Sequence, residues 1–204
     1  MESIDDKIVA RLSKCGRGCI VFSSTFAMLG ESKSVLKALE RLTQAGTLIR
    51  LARGIYCYPR IDKKLGLDVI YPSYEEIAQS IAKRDKARIV PAGAYAMNVL
   101  GLSTQVPMNL VFLTDGSPRK VQLFNDHKIS FRHTAPKNLA FQHKTAQLIT
   151  AALREIGKAN VSEADILQVK KVLTSVREVQ IAADYQLMPA WIRELIKGLY
   201  EQIL

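Results

Sequence analysis

Lys33, Lys37 and Arg41 recur every fourth residue, and Ser34 and Gln44 share their side when the stretch is projected at about 100° per residue. A helix carrying this set has a defined chemistry. Arg and Lys donate to guanine O6 and N7 or to phosphate oxygens, while Ser and Gln read base edges or anchor the backbone. Arg50 and Arg53 follow at once, flanking an Arg53-Gly54 turn where a β-ribbon tip would meet phosphate or the minor groove. Val35, Leu36, Ala38, Leu39, Leu42 and Ala45 fall on the opposite side of the helix and are expected to pack. A basic helix face alone is most often a solvated surface. A second basic element beside it turns the balance toward DNA.

Other chemistry finds little support. Cys15 and Cys19 stand four apart, but Cys57 and the histidines, His127, His133 and His143, lie far off with no zinc spacing, so no metal site is expected. Asp115 and His133 form the only candidate acid-base pair, yet Asp115 heads an Asp-Gly turn and His133 ends a strand. A nuclease would need a further carboxylate beside a lysine on the strand after Asp115, and after Lys120 that strand supplies Val121, Gln122 and Leu123 instead. No phosphate-binding or dinucleotide fingerprint occurs, so neither a cofactor nor catalysis is expected. Tyr95, Asn98, Ser103, Thr104 and Gln105 are polar residues inside an uncharged stretch. They fit satisfied helix-end and loop groups, or a surface that recognises a partner, and the residues alone leave both open.

The elements that would hold these residues alternate clearly. Ser3 and Asp6 can cap a first helix with Ile4, Ile8, Leu12 and Cys15 on one face. Cys19 to Phe22 is β-prone, Ser23 and Ser24 open a brief second helix, and a third runs from about Ser32 to Ala45, stopped by Gly46. Two β-prone runs, Thr47 to Ala52 and Ile55 to Tyr58, close the unit. This order is that of a winged helix-turn-helix over residues 1–60. Residues 61–72 read as a connector. Beyond it, Ser73 and Glu76 cap a helix to about Arg84, and Pro91 opens another to about Leu100. Leu110 to Thr114, Lys120 to Phe124 and Lys128 to Arg132 read as an antiparallel meander, with helices from Thr145 onward.

Composition agrees with a globular protein. The 204 residues are 48% hydrophobic and 24% charged, with a net charge of +10 that points to an anionic partner. The charge is uneven: residues 1–60 hold ten basic against five acidic residues, whereas residues 141–204 hold eight against seven. Three cysteines and an N-terminus without an apolar h-region fit a reducing cytoplasm. Ile89 to Thr114 lacks charge, but Pro91, Asn98, Gln105, Pro107 and Asn109 break it, so no membrane partner is expected.

Ser34-Val35-Leu36-Lys37-Ala38-Leu39-Glu40-Arg41-Leu42, Gly46 and Leu51-Ala52-Arg53-Gly54-Ile55-Tyr56 resemble the winged helix of AbiEi-type antitoxins. Pro91-Ala92-Gly93-Ala94-Tyr95-Ala96, Asn98, Leu100 to Gln105, Thr114-Asp115-Gly116 and Arg132 to Pro136 are similar to the domain that follows it in that family. The resemblance implies an antitoxin of a type IV toxin-antitoxin system. Such a protein represses its own operon and counteracts a nucleotidyltransferase toxin, with or without touching it. Carried onto this chain, Ser34, Lys37, Arg41 and Arg53 would contact operator DNA.

The expectation is therefore an α+β protein, not an enzyme. An N-terminal winged helix-turn-helix is followed, over residues 73–204, by a mixed α/β domain with a small antiparallel sheet and a helical C-terminal part. Double-stranded operator DNA and a nucleotidyltransferase toxin are the expected partners. Two alternatives stand beside it: a stand-alone winged-helix transcription factor with a ligand- or partner-sensing C-terminal domain, and an enzyme acting on nucleic acid through Asp115 and His133.

Overall fold

The structure, a computed structural model, describes residues 2–62 and 67–203 and is mixed α+β. The chain divides into two compact units, Met1–Ser80 with Gln122–Asp126, and Ile81–Val121 with His127–Leu204. No helix among the described residues is long and apolar enough to cross a membrane.

In the first unit, α1 (Ile4–Cys15) starts at a capping box in which Ser3 Oγ accepts from the Asp6 amide and the Asp6 carboxylate accepts from the Ser3 amide. It buries Ile8 and Leu12. Strand β1 (Ile20–Phe22), a 3₁₀ helix over Ser23–Leu29, α2 (Ser32–Gln44), β2 (Ile49–Ala52) and β3 (Ile55–Cys57) follow. The sheet runs β1-β3-β2, antiparallel throughout, with Phe22 opposite Ile55 and Ile49 opposite Cys57. The β2–β3 turn is tight because Gly54 takes φ +74, and a Cβ there would stand 3.2 Å from Ser23 Oγ. Ile8, Leu12, Phe26, Val35, Leu39 and Leu48 form the middle of this unit's core.

The stretch expected as a connector carries two paired strands, β4 (Arg60–Asp62) and β5 (Leu67–Ile70), antiparallel, with Arg60 opposite Ile70; residues 63–66 lie outside the described set. Helix α3 (Tyr74–Arg84) begins at the expected Ser73–Glu76 box, and the division into units falls between its Ser80 and Ile81. Residues Gln122–Asp126 belong to the first unit. The Phe124 amide donates to the Leu51 carbonyl at 3.0 Å, and the Phe124 ring stacks on Tyr71 with centroids 5.0 Å apart. That bond occupies part of the free edge of β2.

The second unit holds β6 (Ile89–Ala92), α4 (Gly93–Val99), β7 (Asn109–Thr114), β8 (Arg119–Gln122, all but its last residue) and β9 (Lys128–His133), then α5 (Lys144–Ile156), α6 (Glu163–Leu173), α7 (Glu178–Ile181) and α8 (Ala190–Glu201). The expected antiparallel meander is not what forms. The sheet runs β6-β7-β9-β8, with β6 antiparallel to β7 and β7 parallel to β9, Phe112 facing Phe131. Burial explains the order. Strand β9 buries Ile129, Ser130 and Phe131 in succession, whereas β8, with Lys120 and Gln122 exposed, suits an edge. Pro91, expected to open a helix, sits instead in β6 opposite Phe112. This strand lies at the sheet's other edge, where a missing N–H is tolerated. Helices α5, α6 and α8 bury Ile149, Leu153, Val169, Ile192 and Ile196 in one cluster.

Candidate nucleic-acid interface

Helix α2 buries Val35, Ala38, Leu39 and Leu42, which leaves a broad outward side. Lys33, Lys37 and Gln44 are exposed there, and Ser34 is half-buried. Gly46, at φ +71, ends the helix, and the Leu48 amide then donates to the Leu42 carbonyl at 3.1 Å, turning the chain into β2. Arg50 and Arg53, on β2 and its turn, are both exposed.

Two hollows connect these elements. One is lined by Leu36, Glu40, Thr43, Gln44, Arg50 and Tyr56, so Gln44 and Arg50 share it. The other is lined by Ser23, Ser24, Ala27, Ser32, Val35 and Leu36. The Arg53-Gly54 turn adjoins the second, because the Ser23 amide donates to the Gly54 carbonyl at 3.0 Å. Leu36 borders both hollows.

Arg41 is placed differently from its companions. Its guanidinium grips the Asp5 carboxylate of α1 with two parallel bonds, Nε to Oδ2 at 3.0 Å and Nη2 to Oδ1 at 2.5 Å. The hydrogen bond from Arg41 holds the Asp5 carboxyl below its ordinary value, and the same bond raises Arg41. Nε and one Nη2 hydrogen are taken up by Asp5, and the charge of this guanidinium is already matched by a carboxylate before any phosphate approaches. Asp5 is 36 residues away in sequence, so no local pattern announces the pair.

Leu36 and Ala45 are also not where the helical projection puts them. Both are exposed, because the buried stripe of α2 is centred on Val35, Leu39 and Leu42 and is narrower than the projected apolar side. Glu40 and Thr43 lie beside Leu36 in the first hollow and were not singled out by sequence. Their only signal was spacing: Leu36, Glu40 and Thr43 stand at i, i+4 and i+7.

In the second unit the polar residues of the uncharged stretch are largely tied into the fold. Tyr95 is buried with its ring tilted against Phe112, centroids 5.3 Å apart. Asn98 Nδ2 donates to the Ser103 carbonyl at 3.1 Å, and Ser103 Oγ accepts from the Gln105 amide at 3.3 Å. The side chains of Thr104 and Gln105 are exposed. Asp115 clips two strands together. Its carboxylate accepts from the Arg88 amide at 2.7 Å and from Arg88 Nε at 2.8 Å, and those bonds hold it below its ordinary value. His133 Nδ1 stands 3.5 Å from the Gly116 carbonyl. Asp115 thus faces an arginine that neutralises it, which is the environment of a structural tie.

Among the described residues no group of three or more His, Cys, Asp or Glu is placed to hold a metal ion. Burial, with Cys15 beside it, pushes the Cys19 thiol up to about 12, and burial pushes Cys57 up to about 11, so both remain thiols at neutral pH.

Among solved structures, the crystal structure of RV2827C protein from Mycobacterium tuberculosis is similar, at 17% identity and a TM-score of 0.48, over 95% of this chain and 80% of that one. No functionally curated protein matches the chain. Residues 7–181 match the family of unknown function DUF6088, and the chain belongs to that family.

Proposed function

We propose that this protein is a DNA-binding antitoxin that represses its own operon through an N-terminal winged helix and counteracts a nucleotidyltransferase toxin. One arrangement carries the DNA half of the reading. Helix, strand, short helix, helix and a two-stranded ribbon occur in that order, β1 pairs with the returning strand β3, α2 turns Lys33, Lys37 and Gln44 to solvent, and Arg50, which shares a hollow with Gln44, and Arg53 are exposed on the ribbon. In such a domain α2 is the helix that enters the major groove, and the β2–β3 turn is a short wing against the backbone. A net charge of +10 supplies the attraction. Arg41, its charge already matched by Asp5, would add less than the other basic residues.

The antitoxin half rests on the resemblance of residues 91–136 to the AbiEi-type domain. Co-expression tests it. Full-length protein is expected to restore growth to cells expressing the nucleotidyltransferase encoded beside its gene. The Lys37→Ala/Arg53→Ala variant is expected to restore growth as well while failing to repress the promoter. No rescue by the wild-type chain would remove the antitoxin half and leave a stand-alone transcription factor.

A further inference from the structure

We propose that Leu36 reads the 5-methyl group of thymine in the major groove, making it a specificity-determining residue of α2. The inference rests on the DNA-binding reading above and adds to it which base is sought.

Leu36 is 46% exposed on a helix whose four buried apolar residues already fill the core side. A branched aliphatic side chain held in water loses the burial that most leucines gain. It stands at the boundary of two hollows, with the small residues Ser23, Ser24, Ala27 and Ser32 on one side and Thr43, Gln44 and Arg50 on the other. Its neighbours on the outward side of α2 are Lys33, Lys37 and Glu40, all exposed. Charged Lys33 and Glu40 stand one turn away on either side of it along α2, while the second hollow beside it is uncharged, and a lone exposed leucine offers an apolar protein partner less than the wide patch such a partner would bury. Such a leucine does suit a major groove. There the base edges present donors and acceptors at every pair except for one apolar feature, the thymine C5-methyl. The flanking lysines attract the anionic duplex and set the helix against its backbone, and the serines and Ala27 leave room beside Leu36 for a methyl group. Deamination products and unmethylated pyrimidines lack that group, so uracil is the clean comparison.

The test begins with a duplex selected by the full-length chain from a randomised library about two helical turns long (~20 base pairs). The selected duplex is then made again with deoxyuridine in place of every thymine, and both are titrated by fluorescence anisotropy. Wild-type protein is expected to bind the uracil duplex about three- to fivefold more weakly for each methyl group contacted, the equivalent of one buried methylene. Leu36→Ala and Leu36→Gln are expected to bind both duplexes equally, and as weakly as wild type binds the uracil form. Circular dichroism of both variants is expected to match wild type, because the side chain is on the surface. Equal wild-type affinity for the two duplexes, or a uracil penalty that persists in Leu36→Ala, would overturn the inference while leaving DNA binding in place. If no duplex is enriched, the DNA-binding reading fails and the inference falls with it.

Discussion

Replacing Lys37 and Arg53 together with alanine is expected to weaken binding to the DNA upstream of the gene by about tenfold or more at low salt. The same change should flatten its salt dependence. Each phosphate contact releases counterions from the duplex, so each one lost reduces the slope of log affinity against log salt by about 0.9, and the pair by about 1.8. Both side chains are exposed, one on α2 and one at the β2–β3 turn, so their loss leaves no buried group unpaired. The slope is the more telling measurement, because a folding defect would lower the active fraction without changing it. Arg41→Ala is the informative contrast. Its guanidinium is already matched to Asp5 through two hydrogen bonds, so this variant should leave the slope within about half a unit of wild type. A slope unchanged in the double variant would mean that α2 and the turn do not face the phosphates.

Asp184→Ala is expected to destabilise the second unit by roughly 2 to 5 kcal/mol. Asp184 is 1% exposed, and its carboxylate accepts from the backbone amides of Gln142 and His143 at 2.8 and 2.9 Å. Those amides lead into α5, whose first turn is capped by the His143 side chain accepting from the Thr145 amide. A helix N-terminus favours a negative charge, which suits a carboxylate at this place. Alanine removes both acceptors at once and loosens the start of the helix that buries Ala146, Ile149, Ala152 and Leu153. Asp184→Asn keeps the shape and one acceptor oxygen and should cost less than alanine. Thermal unfolding followed by circular dichroism checks the order. For a chain of this length 1 kcal/mol shifts the midpoint by about 2–4 °C, so the alanine variant should fall by roughly 4–20 °C. A shift under about 2 °C would show that other groups hold the start of α5.

What could be read from sequence was local. The boxes at Ser3–Asp6 and Ser73–Glu76 each involve residues three apart, and both form. The extent of α2 was legible because apolar residues at helical spacing end in a glycine with positive φ. Pairings that depend on distant partners were not legible. Strand β9 joins β7 in parallel, which no turn between them specifies, and β6 is a strand because an edge position accepts Pro91. At the candidate interface, types and spacing identified the basic residues, but not that Asp5 captures Arg41 or that Leu36 stays in solvent. A projection ranks directions around a helix. Which of them the core covers depends on α1 and the sheet, and so on tertiary packing.

Sequence-dependent reading of duplex DNA by α2 and the β2–β3 turn is what the proposed function requires. Its most direct test is the binding isotherm of the full-length chain on the duplex upstream of its own gene, against a scrambled duplex of equal length and composition, at physiological salt. Binding to the upstream duplex is expected to be at least about a thousandfold tighter, the lower end of what separates specific from non-specific sites. Equal affinity for the two duplexes would reduce the basic face to general electrostatic attraction and contradict the account.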